Sequence, residues 1–138
     1  MKIIDFANYK AKKNKTMQMV DGIQVWRKDG KLHREDGPAV IYPETAWRTR
    51  RKEWYRDGKR HRLDGPAVEK EHGTKIYYKD GKKHREDGPA YIHGNGKKVW
   101  WKQGKRHRED GPAVVEANGK KEYWLDGKKL TEADWKKI

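Results

Sequence analysis

A histidine, an arginine and an acid recur together four times: His33-Arg34-Glu35-Asp36, His61-Arg62-Leu63-Asp64, His84-Arg85-Glu86-Asp87 and His107-Arg108-Glu109-Asp110, each followed by Gly-Pro-Ala. These residue types could act in phosphodiester chemistry as general base, phosphate clamp and acid. The repetition argues against it, because an active site is one asymmetric constellation. A structural role accounts for every member. The Asp accepts turn hydrogen bonds and pairs with the Arg, the Gly takes unusual backbone angles, and the Pro fixes the start of the next strand. The histidines should stack in a row at the repeat spacing, whereas zinc needs ligands converging at ~2.0 to 2.1 Å on one point. The chain has no glycine-rich phosphate loop before a helix, no Gly-x-Ser-x-Gly and no carboxylate cluster beyond the motif acids. It is therefore read as non-enzymatic, without cofactor or metal.

The elements that carry the motif follow from its spacing. His61 to His84 and His84 to His107 are each twenty-three residues, and His33 to His61 is twenty-eight, a period that signals a repeat architecture. Turn signals alternate with short strand-like runs: Asp21-Gly22 and Asp29-Gly30, then Asp57-Gly58, Asp80-Gly81, Gln103-Gly104 and Asp126-Gly127. Asn118-Gly119, Asn95-Gly96 and His72-Gly73 read as two-residue hairpin turns at the opposite ends of the strands. Each repeat is thus two antiparallel strands. The fold expected is all-β, a single-layer, twisted antiparallel meander of about nine to eleven strands with a short C-terminal helix. Residues 1–16 form a basic arm or an edge strand, in which Ile3, Ile4 and Phe6 could pair. Residues 17–129 form the repeat sheet and residues 130–138 a capping helix. Thr131 suits its N-cap, and Trp135 and Ile138 should fold back onto the last repeat.

Trp101-Lys102-Gln103-Gly104-Lys105-Arg106-His107 and Trp124-Leu125-Asp126-Gly127-Lys128 resemble the Trp-x-x-Gly-Lys-x-His portion of the MORN repeat (membrane occupation and recognition nexus). The resemblance covers roughly Val25 to Lys129. It is closer still to the Gly-Lys-x-His-Arg-x-Asp-Gly-Pro-Ala variants of phage and giant-virus proteins. It implies a curved single-layer antiparallel sheet serving as scaffold or binding surface. The chain departs from the standard repeat in placing Arg34, Arg62, Arg85 or Arg108 where a glycine follows His. Glu53, Ile76 or Val99 likewise replaces the glycine two residues before the motif Trp.

Charge narrows the partner. The 138 residues carry a formal net charge of +14 and are 33% hydrophobic against 41% charged. That balance predicts attraction to nucleic acid, an acidic protein surface or anionic lipid. Seven Trp and seven Tyr at fixed offsets argue for an ordered, thin protein without a deep core. The absence of cysteine excludes disulfides and permits intracellular life. No apolar run is long enough for a signal peptide or a span, so a cytoplasmic protein is expected, in the host cell if viral, without integral membrane contact.

Strand alternation divides the side chains into two sets. One, expected to be the more buried, holds Arg27, Tyr55, Tyr78, Trp101 and Trp124 with Val25, Glu53, Ile76, Val99 and Glu122. The other holds an aromatic ladder of Trp26, Trp54, Tyr77, Trp100 and Tyr123. It is flanked by basic rails, Lys28, Arg56, Lys79 and Lys102 on one side and Lys52, Lys75, Lys98 and Lys121 on the other. Either Lys and Arg stems simply cover the rings, or rings and charges together bind an anionic partner. The long first interval adds Trp47 with Arg48, Arg50 and Arg51, a hydrophobe among guanidiniums of the kind enriched at recognition hot spots. The function expected is a binding module for an acidic macromolecule, nucleic acid or nucleoprotein. A protein-binding inhibitor or adaptor, such as a viral counter-defence protein acting on a host factor, is the alternative. Peripheral attachment to anionic membrane and a homodimer through an open sheet edge remain further readings.

Overall fold

The computed structural model describes residues 17–138. The basic arm expected at 1–16 lies outside the described residues.

Asp-Gly pairs reverse the chain. Asp80 and Gly81 have φ of 48° and 82°, and Asp29-Gly30, Asp57-Gly58, Gln103-Gly104 and Asp126-Gly127 share this double left-handed geometry. That is the type I′ turn, whose twist matches a two-residue β-hairpin. The first strands are β1 (Met17–Val20), β2 (Ile23–Lys28), β3 (Lys31–Leu32), β4 (Val40–Tyr42), β5 (Arg51–Glu53), β6 (Tyr55–Arg56) and β7 (Lys59–Arg60). Next come β8 (Val68–Lys70), β9 (Lys75–Ile76), β10 (Tyr78–Lys79), β11 (Lys82–Lys83), β12 (Tyr91–Ile92) and β13 (Lys98–Val99). The last are β14 (Trp101–Lys102), β15 (Lys105–Arg106), β16 (Val114–Val115), β17 (Lys121–Leu125) and β18 (Lys128–Leu130).

The result is all-β: one antiparallel meander ordered β1-β2-β4-β5-β8-β9-β12-β13-β16-β17-β18, with β3 beside β2. Three two-stranded hairpins, β6-β7, β10-β11 and β14-β15, accompany it. A full repeat therefore supplies four short strand segments, not two. The chain changes pairing partner at one aromatic residue. Trp54 N–H donates to Ala67 O (2.7 Å) while Trp54 O accepts from His61 N–H (3.1 Å), and Tyr77 and Trp100 repeat the pattern. Successive hairpins are joined in turn, with Gly81 N–H on Arg60 O (2.8 Å) and Gly104 N–H on Lys83 O (2.9 Å).

The turns at the other strand ends are not the two-residue type. Glu116 N–H bonds Lys120 O (2.8 Å) and Gly119 N–H bonds Glu116 O (2.9 Å). Gly119 has φ of 88° while Asn118 stays out of the left-handed region, which makes a three-residue loop closed by a glycine bulge. Asn118 Oδ1 accepts from Lys120 N–H (3.0 Å) and so secures the turn through its side chain. The loops ending at Gly73 and Gly96 follow the same scheme.

Register places Val25, Val40, Glu53, Val68, Ile76, Tyr91, Val99, Val114 and Glu122 directly opposite one another across the main sheet. Ala39, Ala67, Ala90 and Ala113, each fully buried, precede the returning strands. This valine face is the more buried one along that row, with Val99 only 3% exposed. The opposite row, on the lysine face, reads Gln24, Ile41, Lys52, Glu69, Lys75, Ile92, Lys98, Val115 and Lys121, and all four of its lysines are exposed.

The chain closes with helix α1 (Glu132–Lys136), whose N-cap Thr131 accepts from Asp134 N–H. Trp135 packs on Tyr123, ring centroids 4.8 Å apart. Ile138 does not fold back with it. The helix stops short of that residue, which stays exposed.

Candidate binding surfaces

The recurring motif is a clamp built from three contacts. Its arginine lies over the ladder ring of its own repeat: Arg34 over Trp26, Arg62 over Trp54, Arg85 over Tyr77 and Arg108 over Trp100, with the guanidinium carbon 4.0, 4.0, 4.0 and 3.9 Å from the ring centroid. The same guanidinium reaches Asp36, Asp64, Asp87 or Asp110 within 3.0 to 3.3 Å. It also donates to the carbonyl of Pro38, Pro66, Pro89 or Pro112. The glycine forms the other wall. Gly37, Gly65, Gly88 and Gly111 are not in the left-handed region, contrary to the expectation of unusual angles. They are glycine because a Cβ would meet the arginine's guanidinium carbon at 2.8 to 3.1 Å.

The motif histidine ties each repeat to the next. His33, His61, His84 and His107 accept at Nδ1 from the backbone N–H of Asp57, Asp80, Gln103 and Asp126, each at 3.0 Å. Accepting at Nδ1 puts the proton of the neutral ring on Nε2. In His84 that nitrogen meets Glu86 at 2.7 Å, and the bond holds the Glu86 carboxyl below its ordinary pKa. Nε2 is buried without a hydrogen-bond partner both in His61, where Leu63 replaces this glutamate, and in His33, where Glu35 stands 3.6 Å away. Replacing His84 by alanine strands the Gln103 N–H, so it should cost about 1–3 kcal/mol. Denaturant midpoints of H84A and wild type would check this, and an unchanged midpoint would show that the bond carries no weight.

On the lysine face the ladder rings Trp26, Trp54, Tyr77, Trp100 and Tyr123 are half-buried. Four of them are covered on one side by the motif arginine. The rail residues Lys28, Arg56, Lys79, Lys102, Lys52, Lys75, Lys98 and Lys121 are all exposed, and none forms an ion pair among the described residues. Between adjacent motifs lie three equivalent clefts of about 780, 570 and 610 Å³. The first brings Arg34 and Asp36 together with Trp54, Arg56 and Arg62. The insertion loop is closed by a Thr45–Arg48 bridge and leaves Trp47 at its tip, 96% exposed. Its arginines turn elsewhere. Arg48 and Arg51 lie over Tyr42 at 5.1 and 4.2 Å, while Arg50 bonds Glu71 through its backbone. Among the described residues no three His, Asp or Glu are grouped to hold a metal, and no helix is long and apolar enough to cross a membrane.

No family model, curated protein or solved structure matches the chain.

A further set of residues, absent from the sequence-based candidates, lies on the valine face. Arg60, Lys83 and Arg106, each immediately before a motif histidine, stand opposite Tyr55, Tyr78 and Trp101 across the hairpins. Each also reaches the ring of the following repeat: Arg60 to Tyr78 at 5.4 Å, Lys83 to Trp101 at 4.8 Å and Arg106 to Trp124 at 5.0 Å. Rings and cations thus alternate along this face. A two-residue hairpin pairs positions symmetrically about its turn, so counting across Asp80-Gly81 from Tyr78 would have reached Lys83. Glu53 terminates the stack at one end. Burial and then the Glu53 carboxylate raise the Tyr55 pKa. Burial opposes the Arg60 charge, but Glu53 and the flanking tyrosines outweigh it and keep that guanidinium protonated.

Proposed function

We propose that this chain is a non-enzymatic, MORN-like repeat scaffold that binds a polyanion, nucleic acid in the first instance, across its lysine face. The observation that carries the reading is the double rail of eight exposed cations, none of which makes a close ion pair among the described residues, recurring repeat after repeat. Strands ~4.8 Å apart place equivalent lysines every ~9.6 Å, so five repeats span very roughly 40 Å. An extended phosphate backbone is the partner that such a periodic charge array matches, and base stacking on the ladder rings between the rails would add to it. Trp47 adds one exposed hydrophobe at the place where the period breaks.

The test is salt-dependent binding of single- and double-stranded DNA and RNA. The logarithm of affinity should fall linearly with the logarithm of salt, with a slope of about −0.9 per phosphate neutralised on a duplex and about −0.7 on a single strand. Changing Lys52, Lys75, Lys98 and Lys121 to Gln should flatten that slope in proportion to the phosphates those lysines neutralise, with little change in thermal stability. Failure of every nucleic acid to bind at low salt would overturn the reading and favour an acidic protein surface instead.

A further inference from the structure

The nine-residue row of the valine face contains its own comparison, because equivalent places in successive repeats hold Val25, Glu53, Ile76, Val99 and Glu122. Where the residue is glutamate, the neighbouring ring and cation are paired by it. Glu53, 1% exposed, accepts from Tyr55 OH (3.0 Å) and Arg60 Nη2 (3.0 Å) and lies 3.3 Å from Arg51 Nε. Glu122 accepts from Trp124 Nε1 (3.0 Å) and Lys129 Nζ (3.3 Å).

In the two repeats between them the glutamate is gone but its partners remain. Trp101 keeps the indole N–H that Trp124 uses on Glu122, with no acceptor among the described residues. Arg106 has no carboxylate at the equivalent place of its own repeat, where Val99 stands; its Nε, like that of Arg60, is buried without a hydrogen-bond partner, and its charge acts on the Glu122 carboxylate of the next repeat. Lys83 is held between Trp101 (4.8 Å) and Tyr91 (5.8 Å). Burial, then the charges of Arg106 and Arg60, lower its pKa. Lys83 is the half-buried cation of this group with no carboxylate beside it, and an anion placed between it and Arg106 relieves their repulsion.

We infer that the central repeats of this face bind a carboxylate from outside the chain, an acidic side chain of a partner protein seated against Trp101, Lys83 and Arg106. The site is separate from the lysine face and does not depend on nucleic-acid binding. A carboxylate is favoured over other oxyanions because the flanking repeats fill the equivalent seats with glutamate, using a phenol donor with two arginines at Glu53 and an indole donor with one lysine at Glu122.

The experiment is calorimetric titration of the full chain with a short blocked polyglutamate peptide, with polyglutamine and inorganic phosphate as controls. Lys83→Met with Arg106→Met should weaken peptide binding at least about tenfold. Lys75→Met with Lys98→Met, which removes the same charge from the other face, should change it less than about threefold. Val99→Glu fills the seat from within. It should fold, as judged by circular dichroism, and lose the peptide. Equal weakening by the two charge-matched pairs, phosphate bound as tightly as the peptide, or full peptide binding by V99E would each overturn the inference. If the Lys83–Arg106 pair variant does not fold, Arg106→Gln and V99E carry the same comparison. Nucleic-acid binding measured on the same variants separates this outcome from that of the lysine face.

Discussion

Glu53→Ala should destabilise the fold by about 2–4 kcal/mol, among the largest effects of any single substitution here. Glu53 sits in mid-sheet between Val40 and Val68, where a carboxylate is costly unless paired. Arg51, Arg60 and the Tyr55 hydroxyl supply the pairing, and alanine would leave two guanidiniums facing each other across a void. Removing one partner of a fully buried pair costs about 3–5 kcal/mol; here the arginines are 31% and 37% exposed and can partly rehydrate, which lowers the figure. Glu53→Val follows the residues used at the equivalent places, Ile76 and Val99, so it should recover about half of the loss by restoring packing. Urea denaturation of the three proteins measures both numbers. A loss below about 0.5 kcal/mol in E53A would mean the arginines find water without penalty.

Converting Gly37, Gly65, Gly88 and Gly111 together to alanine should remove about 4–6 kcal/mol, enough to unfold a domain at the lower end of ordinary stability. At Gly111 the new Cβ would stand 2.8 Å from Arg108 Cζ. Arg108 is the end of a flexible side chain, but it is held by the Trp100 ring, by Asp110 and by the Pro112 carbonyl. Displacing it forfeits a cation–π contact and a charge-assisted bond, together about 2 kcal/mol, against a gain of about 0.4–1 kcal/mol because alanine restricts the unfolded chain. The net is about 1–1.6 kcal/mol per copy. The sign should reverse once the arginine is absent: in an R108A background, G111A becomes neutral or slightly stabilising. A double-mutant cycle with no coupling between positions 108 and 111 would refute the sandwich.

The meander was legible because period and turn chemistry are properties of a one-dimensional string. Asp-Gly at matching offsets, alternation about Trp101 and the break after Val40 suffice to order the strands. The reason for the motif glycine was not legible, because it depends on where Arg34 goes after the chain has turned back over Trp26. Backbone conformation was the default explanation, and close approach is the actual one. Likewise Trp47 and Arg48 are neighbours in sequence, yet Arg48 turns to Tyr42, a residue on the preceding strand. The basic rails could be counted from the sequence, whereas the alternation of Arg60, Lys83 and Arg106 with rings required pairing one repeat against the next.

The histidine link gives the assembly a head and a tail. Every repeat offers a ring acceptor forward and a turn donor backward, and the two are matched in position from His33 through Asp126. Such a unit is a monomer in the polymer sense, with complementary ends that no other part of the chain must supply. Lengthening or shortening the array by whole twenty-three-residue units leaves the histidine link at each junction the same, so the span of either face becomes a quantity set by copy number, while the surface chemistry of each copy is set by the few positions, such as 53, 76, 99 and 122, where one unit differs from the next.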